Sequence, residues 1–136
     1  MSEQQRPTTP IDAIAERWVD TLVDLVPDVA IYIGVPGRTG EYGDLSPAGH
    51  DRLADASRAL VRELEAAEPV DAVDEVTRTD LLAESRLSLE AHEAKLHLRD
   101  LNVIASPAQE IRESFDLMPT ASEHDWATIE IGRAHV

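Results

Sequence analysis

The residues best suited by type to do chemistry are His92, Glu93 and His97, in the run His92-Glu93-Ala94-Lys95-Leu96-His97. The run approaches the zinc-binding signature H-E-x-x-H, in which two imidazoles hold a metal and the glutamate activates a water molecule. That chemistry needs the histidines four apart, so that both lie on one helix face. Here they are five apart, and an unbroken helix turns them about 140° away from each other. Glu93 and His97 do align, as an ordinary i, i+4 surface pair. The run is read as a decoy, and no catalytic, cofactor-binding or metal-ligating residue is assigned in this chain.

Other groups point to chemistry more weakly. Gly34, Gly37, Gly40 and Gly43 recur every third residue. Phosphate-binding loops need G-x-G-x-x-G between a strand and a helix, or Gly-Lys-Ser/Thr at a helix start. The single cation of this stretch is Arg38, and Glu41 and Asp44 would repel phosphate, so the glycines read as a connector with unusual φ angles. His50-Asp51 and His124-Asp125 fall in first turns of expected helices, where the acids complement the macrodipole. No G-x-S-x-G nucleophile elbow occurs. Trp18, Tyr32, Phe115 and Trp126 are expected to anchor a core rather than to stack on a ligand.

Composition narrows the classes further. The 136 residues suffice for one domain, with 43% hydrophobic but 4% aromatic residues, so the core must be aliphatic. A net charge of −15 argues against nucleic acid and against anionic membrane surfaces as partners. There is no cysteine, hence no disulfide framework and no zinc-thiolate cluster. The polar start, Met1-Ser2-Glu3-Gln4-Gln5-Arg6, has no apolar run behind it, and no stretch approaches a membrane span. A cytoplasmic location is the expectation.

The elements that would position these residues are helices. Residues 1–9 read as a disordered tail. Thr9-Pro10 then caps and opens a helix whose Ile11, Ile14, Trp18, Leu22 and Leu25 share a face, ending at Pro27. Asp28 to Ile33 suits a short strand or a helical turn equally. Ser46-Pro47 opens a second helix with Leu53, Ala56, Leu60 and Leu64 on one side, stopping before Pro69. A third helix is expected from about Val73 to Leu101, its exposed side laced by Asp74/Arg78 and Arg86/Glu90 pairs. Ser106-Pro107-Ala108-Gln109 reads as a capping box that opens a fourth helix through about Met118. Ser122 caps the start of a fifth, with Trp126 and Ile129 on its apolar face. The fold class is all-α: about four helices plus the start of a fifth.

The fifth helix has about one turn before Gly132, short of the usual eight residues or more. The final residues Ile131-Gly132-Arg133-Ala134-His135-Val136 also match the codons of a common sequencing-library adapter (ATC GGA AGA GCA CAC GTC). Residues 130–136 are therefore expected to be a non-native tail, and residues 10–129 an incomplete N-terminal helical part.

Order and spacing of several short pieces make the chain resemble the bacterial family known as domain of unknown function 885. They are Ala30-Ile31-Tyr32-Ile33-Gly34, the loop into Asp44-Leu45-Ser46-Pro47, Arg78-Thr79-Asp80-Leu81-Leu82, and Asn102 through Pro107 leading to Phe115 and Pro119. The resemblance covers roughly residues 10–129. It implies a longer, mostly helical parent similar to gluzincin-type zinc metallopeptidases. There, an H-E-x-x-H-like motif in the C-terminal half holds zinc with a downstream acid and activates water against a peptide carbonyl. None of those positions falls in this chain. Zinc, a peptide substrate and the missing C-terminal part are what the resemblance implies for the parent. Two other readings stay open: a small acidic helical protein-interaction module, and a metal-dependent mini-enzyme using Glu93 and His97.

Overall fold

A computed structural model describes residues 6–38 and 41–134 of the chain. Six α-helices follow in order: α1 (Pro10–Leu25), α2 (Val29–Ile33), α3 (Pro47–Ala66), α4 (Ala72–Glu93), α5 (Pro107–Asp116) and α6 (Glu123–Ala134). A 3₁₀ turn, Leu96–Arg99, lies between α4 and α5. The protein is all-α, with no strand among the described residues.

Cap chemistry decides where the long helices start. The Thr9 hydroxyl accepts from the Asp12 backbone N–H while the Asp12 carboxylate accepts from the Thr9 N–H, a reciprocal box with Pro10 in the first helical position. Ser46 accepts from the Gly49 N–H at the head of α3. Asp71 accepts from Val73 and Asp74 at the head of α4. Ser122 and Asp125 form a second reciprocal box at α6. Ser106 behaves differently from the expected box: its hydroxyl donates to the Gln109 side-chain carbonyl, and its backbone carbonyl accepts from Gln109 and Glu110. The ambiguous stretch Asp28–Ile33 is the short helix α2, closed by Gly34 at φ 74°. Gly37 also has positive φ, at 92°, while Gly40 lies outside the described residues.

α1, α3 and α4 pack on one another. Ile11 and Ile14 of α1, Leu60 and Leu64 of α3 and Leu82 of α4 form the buried cluster, with Trp18, Val61, Ala67 and Leu81 packed against it. Each fully buried aliphatic side chain contributes roughly 1.5–3 kcal/mol, so a core of this size with one aromatic at its edge can hold three helices together. Gly49 is required at one close approach. A β-carbon there would sit 1.7 Å from the Asp44 carbonyl oxygen, so the chain before α3 folds back onto a position that only glycine allows.

The structure departs from expectation at several places. Arg6, assigned to the tail, donates to Asp12, Asp71 and Asp74, and Thr9 donates to the fully buried Asp74 at 2.7 Å. Residues 1–5 lie outside the described residues. Asp74 therefore faces inward instead of pairing with Arg78, whose Nε donates to the Leu64 carbonyl at 2.7 Å. Arg86 reaches Glu65 across the helix pair rather than Glu90. Tyr32 and Trp126 are 53% and 58% exposed, so neither anchors the core. The helix expected to reach Leu101 stops at Glu93. α6 in turn runs through Gly132 to Ala134, and His135 and Val136 lie outside the described residues.

Candidate functional site

The early stop of α4 builds the most distinctive polar feature of the molecule. After Ala94 caps the helix, Lys95 takes a left-handed conformation at φ 57° and ψ 37°. Its N–H donates to the His92 carbonyl at 2.9 Å, and its carbonyl accepts from Leu98 at 3.2 Å. Lys95 is the only non-glycine residue with positive φ among those described, a conformation that costs a side-chain-bearing residue free energy. The reversal lays His97 back over the end of α4 instead of carrying it a further turn away.

His97 consequently meets both His92 and His50. Its ring lies 5.1 Å from that of His92 at an interplanar angle of 13°, and 4.5 Å from that of His50 at 26°. His50 comes from the first turn of α3, where its N–H donates to the Ser46 carbonyl. Asp51 beside it holds His92 through Nε2 at 3.2 Å. The three imidazoles, with Leu53, Ala54, Ser88 and Ala91, line a pocket of about 150 Å³ between the head of α3 and the tail of α4.

The electrostatics follow from the stack. Desolvation pushes the His97 imidazole below its ordinary value, and the neighbouring His50, His92 and Lys95 push the same way, against a weaker opposite pull from Asp51. Neutral imidazoles in such a group can accept, donate and relay protons near neutral pH. Metal coordination does not fit the arrangement. Imidazole lone pairs lie in the ring plane, and three nearly parallel rings about 4.5–5.1 Å apart do not aim their nitrogens at one point within the roughly 2.1 Å of a zinc–nitrogen bond. Among the described residues no group of three or more His, Asp or Glu is placed to hold a metal ion.

The sequence-derived candidates fare unevenly. The premise of an unbroken helix through His92 and His97 fails, and the two histidines, read as too divergent to share one metal, are in ring contact. The i, i+4 alignment of Glu93 with His97 does not arise, because α4 ends at Glu93, which is exposed. His50, read as an incidental first-turn residue, is the third member of the cluster. No local signal announced it, since it lies far upstream and a non-glycine left-handed turn carries no composition mark. His124 lines a separate pocket with Gly37, Met118 and Asp125. The Asp125 carboxyl is held below its ordinary value by the Ser122 side chain and backbone.

A second polar cluster fastens the N-terminal segment to α4. Arg6 donates to three carboxylates, and the buried Asp74 also accepts from the Thr9 hydroxyl and, at 2.8 Å, from the Val70 N–H. The Arg6 guanidinium holds the Asp12 and Asp71 carboxyls below their usual range. These contacts tie residues 6–12 to the head of α4.

Residues 27–133 match the family described as bacterial protein of unknown function (DUF885). The match spans most of the chain, and the protein belongs to that family. No curated protein matches it.

Proposed function

From membership of that family, we propose that this chain is the N-terminal helical part of a cytoplasmic, metallopeptidase-like hydrolase whose catalytic zinc is held by residues outside this chain. The carrying observation is a run of apolar side chains beyond α4: Leu101, Val103 and Ile104 are 85%, 92% and 84% exposed. Val70, Val76 and Leu87 add exposed apolar surface at 68%, 63% and 67%. Surface of this kind is expected where further polypeptide is to be covered or bound. The chain would shape the approach to the cleft and bear no part of the zinc site. No helix among the described residues is long and apolar enough to cross a membrane.

The test compares this chain with the complete product of its gene, by metal analysis and by hydrolysis of a peptide library. The longer protein should carry one zinc and cleave peptides, and the chain alone should do neither. One tight zinc per copy of the isolated chain, or peptide cleavage by it, would overturn the reading.

A second reading, an acidic helical interaction module, is supported by the capped and packed trio α1, α3 and α4 and by the charge of −15. It requires cooperative unfolding of the isolated chain and preference for basic partners. Dye binding and aggregation of the isolated chain would favour the first reading.

A further inference from the structure

We propose that His50, His92 and His97 form a proton-operated latch that holds the 3₁₀ turn after α4 against the head of α3. Three observations carry it. The ring of His97 stacks on rings from two different helices, and its contact with His50 ties the 3₁₀ turn to α3. The backbone bonds of the turn are local: Lys95 to His92 and Leu98 to Lys95. Beyond it, among the described residues Asn102 bonds within its own loop and α5, to Ile104, Ala105 and Gln109. Side-chain stacking at the pocket is thus the described tether between this segment and α3.

Stacking of this kind requires mostly neutral rings. A second proton on the cluster would set like charges face to face at about 4.5–5.1 Å in a partly desolvated pocket. The charged groups around His97 are Asp51 and the titratable His50 on α3, His92 on α4 and Lys95 in the turn. Asp51 is already paired with His92 and its side chain is 71% exposed, so it screens the cluster weakly, while Lys95 adds to the repulsion. The direction of the His97 shift fixes the sign. The latched state binds fewer protons than the released one, so the latch is fully formed above an ordinary imidazole value of about 6.5 and is lost as pH falls below it. On release the ring leaves the pocket, and the turn Leu96–Arg99, with the exposed segment that follows it, loses its hold on α3.

The experiment is an NMR titration of the full 136-residue chain from pH 7.5 to 5.0. It follows the imidazole resonances and amide hydrogen exchange, corrected for the intrinsic pH dependence of exchange. The amides of Lys95 and Leu98 should lose protection by at least tenfold in step with protonation of the cluster, while those of Leu60 and Leu64 in the core stay protected. His97→Phe keeps a stacking ring without a proton and should remove the pH step. An unchanged pH step in that variant, or constant protection in the wild-type chain, overturns the latch. Should His97→Phe fail to fold, His50→Phe serves in its place: loss or a marked downward displacement of the step supports the latch, and an unaltered step overturns it.

Discussion

The first two-thirds of the chain, up to Glu93, and the part beyond it are built differently. In the first, α1, α3 and α4 each begin at a capped residue and bury an aliphatic face in one shared cluster. In the second, α6 begins at a reciprocal cap and α5 at a hydrogen-bonded Ser106, but neither has a comparable interface with the trio among the described residues. Leu64 is fully buried, whereas Val103 is 92% exposed. Caps fix where a helix begins, but mutual burial decides whether it belongs to a core. On the function proposed above, the second region is the one that further polypeptide would cover.

The contrast can be broken by substitution. Leu64→Ala removes a fully buried side chain and should cost about 3 kcal/mol in chemical denaturation, whereas Val103→Ala should stay within about 0.5 kcal/mol. Comparable losses at the two positions would erase the distinction. Next in size, Asp74→Ala leaves the Thr9 hydroxyl and the Val70 N–H without their buried acceptor, an expected loss of about 2 kcal/mol. Hydrogen exchange should show that loss first at the junction of residues 6–12 with the head of α4. Gly49→Ala forces a β-carbon onto the Asp44 carbonyl and should cost about 1–2 kcal/mol, with the damage confined to the segment before α3.

The smallest effect expected is a pH dependence at the same place. The Asp44 carboxyl is brought down to about 2 by the Ser46 side chain and backbone, with help from Arg52. A carboxyl lowered in the folded state adds stability that is complete above its ordinary value near 4 and disappears as pH falls toward 2. A carboxyl-carbon NMR titration should place its midpoint near 2. A midpoint near 4 would mean that the Asp44–Ser46–Arg52 arrangement does not persist in solution.

Much of the first region was legible in the residues. Thr9-Pro10 and Ser46-Pro47 mark helix starts by a local rule, and Ile11, Ile14, Leu60 and Leu64 lie at helical spacing and are buried. Long-range polar partners were not legible. Arg6 looks like part of a solvated tail until Asp71 and Asp74 are brought beside it, and Asp74 looks like one more exposed acid of a charged helix. The candidate site was hidden for a related reason. Leu96, His97 and Leu98 continue a helical pattern, and Lys95 has good helix propensity, so nothing local announces the left-handed reversal. Reading His92 and His97 on an ideal helix separated two rings that the real chain stacks. Tyr32 and Trp126 misled in the opposite direction, because size and hydrophobicity alone do not place an aromatic side chain inside.

The most direct measurement is hydroxyl-radical footprinting of Leu101, Val103 and Ile104 in this chain and in the complete gene product. If further polypeptide covers this surface, labelling of the three side chains should fall by at least tenfold in the longer protein, with Leu64 shielded in both. Equal labelling of the three in the two proteins would contradict the account.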